Sequence, residues 1–164
     1  MLIDNGTHAV DLVRYLVGPI REVSTTEGRR TRGLPVEEAV HIVARTANGL
    51  IAAMDLSWSM PDVARDYVQI ACSGGGLRIG WKESGYRRLP AAEWERFGRG
   101  YSKLQAMRRQ TENFARAVVG EETLLISEED QFASAEVVAA AYRSLASERW
   151  ERVNGDSASA GGPS

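Results

Sequence analysis

Val10, Val13, Leu16 and Val17 recur at the spacing of one helical face until Gly18-Pro19 stops the pattern, and Thr7 before them is a suitable N-cap. This spacing predicts a short helix over 7–17. Alternation then takes over: residues 20–26 form a strand, and the basic stretch Gly28-Arg29-Arg30-Thr31-Arg32-Gly33 follows as a loop leading to Pro35. Two more strands, 36–46 and 50–58, flank Ala47-Asn48-Gly49, where Asn-Gly supplies the positive φ angles of a tight hairpin turn. In the second of these, Leu50, Ala52, Met54, Leu56 and Trp58 alternate with Ile51, Ala53, Asp55 and Ser57. One face is apolar; the other is only partly polar.

Strands at 67–72 and 77–81 are joined by Ser73-Gly74-Gly75-Gly76, and 86–89 adds a further strand. From Ser102 the period becomes helical, with Leu104, Met107, Thr111, Phe114, Ala115 and Val118 on one face ahead of Gly120. Ser127, followed by Glu128, Glu129 and Asp130, caps a last helix that runs to about Arg149. Residues 154–164 carry too little apolar surface to fold, so one domain over 1–153 and a disordered tail are expected. The fold class is α+β: an open, predominantly antiparallel sheet with helices packed on one face and the other face available for oligomerisation.

Composition narrows the function. With 164 residues, 43% of them hydrophobic, the chain can bury one substantial core, and 20 basic against 22 acidic residues leave a net charge of -2. That balance gives no field for nucleic acid or an anionic membrane. The apolar runs are too short to span a bilayer and the start lacks the regions of a signal peptide, so a cytoplasmic protein is expected. Cys72 is the one cysteine, which excludes an internal disulfide and suits a small buried hydrophobe.

Candidate chemistry is concentrated at the amino end, in Asp4-Asn5-Gly6-Thr7-His8-Ala9-Val10-Asp11. A neutral imidazole takes a proton from an alcohol, and a nearby carboxylate orients the ring and stabilises it once charged. Asp4 and His8 could divide that work. A helix beginning at Thr7 would keep His8 neutral through its positive end, Gly6 would let the chain turn sharply between acid and base, and Asp11 could partner His8 or Arg14. The plainer alternative makes Asp4 and Thr7 capping residues and His8 an ordinary exposed side chain. A metal held by Asp4, His8 and Asp11 would lack ligands for a closed site.

Asp-x-Gly-x-His-x-x-Asp, followed by Leu12-Val13-Arg14-Tyr15-Leu16-Val17-Gly18 and Ile20-Arg21-Glu22-Val23, resembles the opening of the C-terminal domain in the Gfo/Idh/MocA oxidoreductases. Val36-Glu37-Glu38, Gly75-Gly76-Leu77, Phe114-Ala115-Arg116-Ala117-Val118-Val119-Gly120 and Ser127-Glu128-Glu129-Asp130 match further along in the same order. The resemblance implies the substrate-binding and oligomerisation half of an NAD(P)-dependent sugar or polyol dehydrogenase. It assigns the catalytic pair to Asp4 and His8; Asp11, Trp58 and Arg65 are candidate substrate contacts, with a core aromatic as the alternative for Trp58 and a solvated loop charge for Arg65. The complete enzyme would use NAD or NADP, which this chain alone is not expected to bind, since no glycine turn here opens a helix and the family's Glu-Lys-Pro segment is missing. The expected partners are further copies of the chain, a separate Rossmann-domain protein and a sugar or polyol ligand. A stand-alone, non-catalytic module that dimerises or binds a small ligand is the other reading.

Overall fold

The computed structural model describes residues 1–59, 66–91, 93–98 and 100–153. They fall into two compact units, one drawn from 1–61 and 126–164 and the other from 62–125. The expectation of a disordered tail falls on residues outside the described ones.

The first unit opens with a π-helical turn (Leu2–Gly6) running directly into helix α1 (Thr7–Val17). Strands β1 (Ile20–Glu27), β2 (Ala39–Thr46) and β3 (Ile51–Ser57) follow. Later in the chain, helix α3 (Glu128–Ser147) and the short strand β8 (Glu151–Arg152) complete the unit. The antiparallel sheet has the order β3-β2-β1-β8. Alternation decides what faces inward: on β2, Val40, Ile42, Ala44 and Thr46 are buried while His41 and Arg45 are exposed. Helix α3 packs on β1, and α1 packs on α3. Val10, Val23, Ile42, Val137, Ala140 and Ala141 are wholly buried in the resulting core, with Leu56 and Trp58 packed against it.

The β2–β3 hairpin forms at Asn48-Gly49, but only Gly49 takes a positive φ, +83°; Asn48 does not, so the connection is not the turn with two positive angles that the Asn-Gly pair suggests. Ser127 caps α3 through a reciprocal capping box with Asp130. A second tie fixes α3 from the side: the Ser144 hydroxyl accepts from the Thr25 N–H at 2.9 Å and donates to the Arg149 carbonyl at 2.6 Å. Strand β2 starts at Ala39 and not at residue 36: Glu37 and Glu38 are buried as carboxylate anchors, and of the two only Glu38 extends the pairing towards β3, through its carbonyl to the Trp58 N–H. Strand β8 has no signature in the sequence pattern; two residues are too few to show a period.

The outward face of this sheet carries polar pairs around a few apolar residues. His41 Nδ1 lies 2.6 Å from Asp55 Oδ1, and Arg45 pairs with Glu22 while its guanidinium sits 4.8 Å from the Trp150 ring. Ile51 on the same face is 70% exposed.

The second unit holds an antiparallel meander, β4 (Asp66–Cys72), β5 (Gly75–Gly80), β6 (Ser84–Arg88) and β7 (Glu95–Phe97), in that order across the sheet. The described strands thus form two open sheets where the sequence pattern suggests one, and β7 is an addition to the strands that pattern predicts. Cys72, expected to be buried, is exposed near the end of β4. Gly75 and Gly76 lie inside β5 and not in a connection. At Gly75, with φ +152°, a Cβ would stand 1.9 Å from the Arg87 carbonyl oxygen, so only glycine fits. Helix α2 (Lys103–Val118) takes its expected span behind the Ser102 cap, but it buries no residue: Leu104, Met107, Phe114 and Val118 all remain exposed. The class is α+β with open antiparallel sheets, as the sequence pattern indicates.

Candidate active site

Asp4 sits on the π-helical turn and His8 four residues on, in the first turn of α1, so successive turns present both to one side. Both side chains are exposed, and among the described residues neither has a hydrogen-bond partner. They do not meet. The local geometry departs from a simple helix start: the Gly6 N–H donates to the Met1 carbonyl at 3.1 Å, closing the wide turn, and Gly6 itself has helical angles of -62° and -40°. No sharp bend separates acid from base. Thr7 is accordingly not an N-cap, and its hydroxyl donates back to the Ile3 carbonyl at 3.0 Å. Helical backbone already precedes His8, which moves the positive helix end away from the imidazole.

Burial of Leu2, and of Gly6 against Leu2 and Leu56, seats the turn on the core. Glu37 then pins it. Its Oε1 accepts from the Leu2 N–H at 2.9 Å and the Tyr142 hydroxyl at 2.8 Å, with the Met1 nitrogen at 3.4 Å. Burial by itself would push this carboxyl up, but its own backbone N–H, Tyr142 and Leu2 all favour the anion and hold it at about 2, below the usual 4.5. Burial and the same hydrogen bond push the Tyr142 hydroxyl the other way, up. The amino-terminal turn, the approach to β2 and helix α3 therefore meet at one carboxylate.

Glu38 does the same for the basic loop. Its oxygens accept from the Thr31 N–H at 2.8 Å, the Arg32 N–H at 2.8 Å, the Leu34 N–H at 3.3 Å and the Ser59 hydroxyl at 2.9 Å. Burial opposes its charge, these donors outweigh burial, and the carboxyl falls to about 2. The loop is thus organised from inside, around an anion the chain supplies itself.

Asp11 faces α3, where it accepts from the Ser134 hydroxyl at 3.2 Å, and Arg14 pairs with Asp130 at 3.5 Å. Asp11 thus partners neither His8 nor Arg14. Trp58 is half-buried against the core, its backbone N–H donating to the Glu38 carbonyl at 3.0 Å. Arg65 lies outside the described residues. Sequence reasoning missed Glu37 and Tyr142 as the groups that hold the turn. A signal existed: two adjacent carboxylates in a segment patterned as a buried strand cannot both face water.

Residues 1–78 match the family model of the GFO/IDH/MocA C-terminal domain, which bears out the resemblance seen in the sequence. Among curated proteins none matches this sequence. Solved structures share its fold. An NAD binding oxidoreductase from Klebsiella pneumoniae superposes with a TM-score of 0.78 at 16% identity, covering 93% of this chain and 50% of its own. An oxidoreductase from Agrobacterium radiobacter, solved with NAD+, L-tartaric acid and magnesium, gives 0.76 at 17% identity, with 93% and 49% covered. Levoglucosan dehydrogenase in complex with NADH gives 0.78 at 18% identity, with 92% and 49% covered. This chain spans about half the length of each. Its fold is that of half an NAD-binding oxidoreductase chain, and among the described residues no helix is long and apolar enough to cross a membrane.

Proposed function

We propose that this chain is the substrate-side and oligomerisation half of an NAD(P)-dependent sugar or polyol dehydrogenase, acting with a Rossmann domain on the same or a separate polypeptide. The observation that carries this reading is the exposed Asp4–His8 pair on successive turns, in the segment that matches the family. His8 receives the proton of a substrate hydroxyl, and Asp4, on the same side, orients and stabilises the imidazolium that forms. Glu37 and Tyr142 fix the turn that presents them.

Every described strand pairing is antiparallel, and Gly75-Gly76 are paired inside β5, so no glycine turn among the described residues links a parallel strand to a helix. The described residues do not fit a dinucleotide. This chain's share of the chemistry is therefore proton transfer, with hydride acceptance assigned to the other domain. The outward face of the first sheet, with exposed Ile51 among polar pairs, is the surface proposed for self-association.

The test is reconstitution. The chain is combined with a Rossmann-domain protein encoded beside it, or expressed joined to one, and NADH formation is followed over sugars, polyols, levoglucosan and L-tartrate. Turnover that is lost in His8→Ala supports the reading; no turnover with any pairing counts against it. That His8 and Asp4 make no contact favours a second reading, a non-catalytic ligand-binding module, in which His8→Ala leaves ligand binding unchanged.

A further inference from the structure

The second unit contains a cavity of about 220 Å³ lined by residues of β4 and β5 together with Arg87 of β6 and Trp94. Beside it the β5–β6 pair forms a checkerboard: Gly76 stands opposite Arg87, and Arg78 opposite Gly85. The bare glycines let Trp94 lie flat across the strands. A Cβ at Gly76 would come within 3.3 Å of Trp94 Cη2, and one at Gly85 within 3.6 Å of Trp94 Cε3 and 3.1 Å of Arg78 Nε. The guanidinium carbons of Arg78 and Arg87 lie 4.7 and 5.4 Å from the indole ring. The ring keeps both cations in place.

What these cations lack is an anion. Among the described residues neither Arg78 nor Arg87 has an ion pair or a hydrogen bond, and Arg87 Nε is shut from solvent with no acceptor at all. Asp66 also lines the cavity, but its Oδ2 accepts from Gln69 Nε2 at 3.1 Å. Two guanidinium groups with free donors beside one cavity are suited to an oxyanion, whose paired oxygens match their fork. At about 220 Å³ the cavity has room for one such oxyanion group with its attached carbons.

We infer that Arg78, Arg87 and Trp94 of the second unit form a binding site for the phosphate or carboxylate group of a small metabolite. This site does not depend on the dehydrogenase reading, and neither failure would entail the other.

The experiment titrates the intact chain with inorganic phosphate and, separately, with acetate at constant pH and ionic strength, following the indole N–H resonance of Trp94, assigned with Trp94→Phe. Saturation by phosphate alone assigns a phosphorylated ligand, saturation by acetate alone a carboxylate, and saturation by both the shared chemistry. In Arg78→Gln/Arg87→Gln the affinity should fall at least tenfold. Should that variant fail to fold, phosphate or acetate protection of the wild-type arginines against phenylglyoxal replaces it. A linear, unsaturated drift with both anions, saturation that survives in the double variant, or absence of protection overturns the inference.

Discussion

Replacing Glu37 by Gln tests whether one carboxylate holds the amino-terminal turn. In the folded chain this group is held at about 2, against an ordinary value of 4.5. A depressed carboxyl contributes its stability above the unfolded value, and that contribution is lost as pH falls from about 4.5 towards about 2. The difference corresponds to at most about 3 kcal/mol at neutral pH, and to about 2 kcal/mol once solvent screening is allowed for. Glutamine keeps an acceptor for the Leu2 N–H and Tyr142 hydroxyl but has no charge. Glu37→Gln should therefore be about 2 kcal/mol less stable than wild type at pH 7, and the gap should close as pH falls from about 4.5 towards about 2, while both chains lose the contribution of Glu38. Urea unfolding followed by circular dichroism at several values between about pH 7 and pH 2.5 measures this directly. Hydrogen exchange at Leu2–Gly6, where the turn should open faster in the variant, localises the effect. Parallel stability–pH curves for wild type and variant, with unchanged exchange in the turn, would refute the argument.

His8→Gln should cost less than about 0.5 kcal/mol of stability, because the side chain is exposed and unpartnered among the described residues, yet reduce reconstituted turnover by about 10²–10⁴-fold; melting curves and NADH formation check the two halves. Ile42→Ala, at a wholly buried position, should destabilise the first unit by about 2–5 kcal/mol in a urea titration. Ser134→Ala removes the Asp11 partner and should cost about 1 kcal/mol, with no change in KM if Asp11 serves only to join α1 to α3. Ile51→Lys, on the outward sheet face, should shift the chain from oligomer towards monomer by light scattering after size exclusion, without lowering its unfolding midpoint.

Local pattern is enough to place most elements. The 3.6-residue and two-residue periods mark which side chains must leave water, so α1, β1, the β2–β3 hairpin and α3 with its Ser127–Asp130 cap are legible in the order of residues alone. The acid and base at positions 4 and 8 are legible too, because their spacing is local. What the tertiary structure decided was everything that depends on distant residues. Glu37 and Tyr142 are 105 positions apart and share one hydrogen bond, and Asp11 reaches Ser134 across 123 positions; no short-range period encodes such pairings. The wide turn at Leu2–Gly6 overrides the cap signal at Thr7 because burying Leu2 and anchoring its N–H on Glu37 outweighs one hydroxyl cap. The splitting of the strands into two sheets is likewise a matter of which edges find each other. Periodicity shows that a strand has an inner face, and only the assembled chain shows which partner lies beside it.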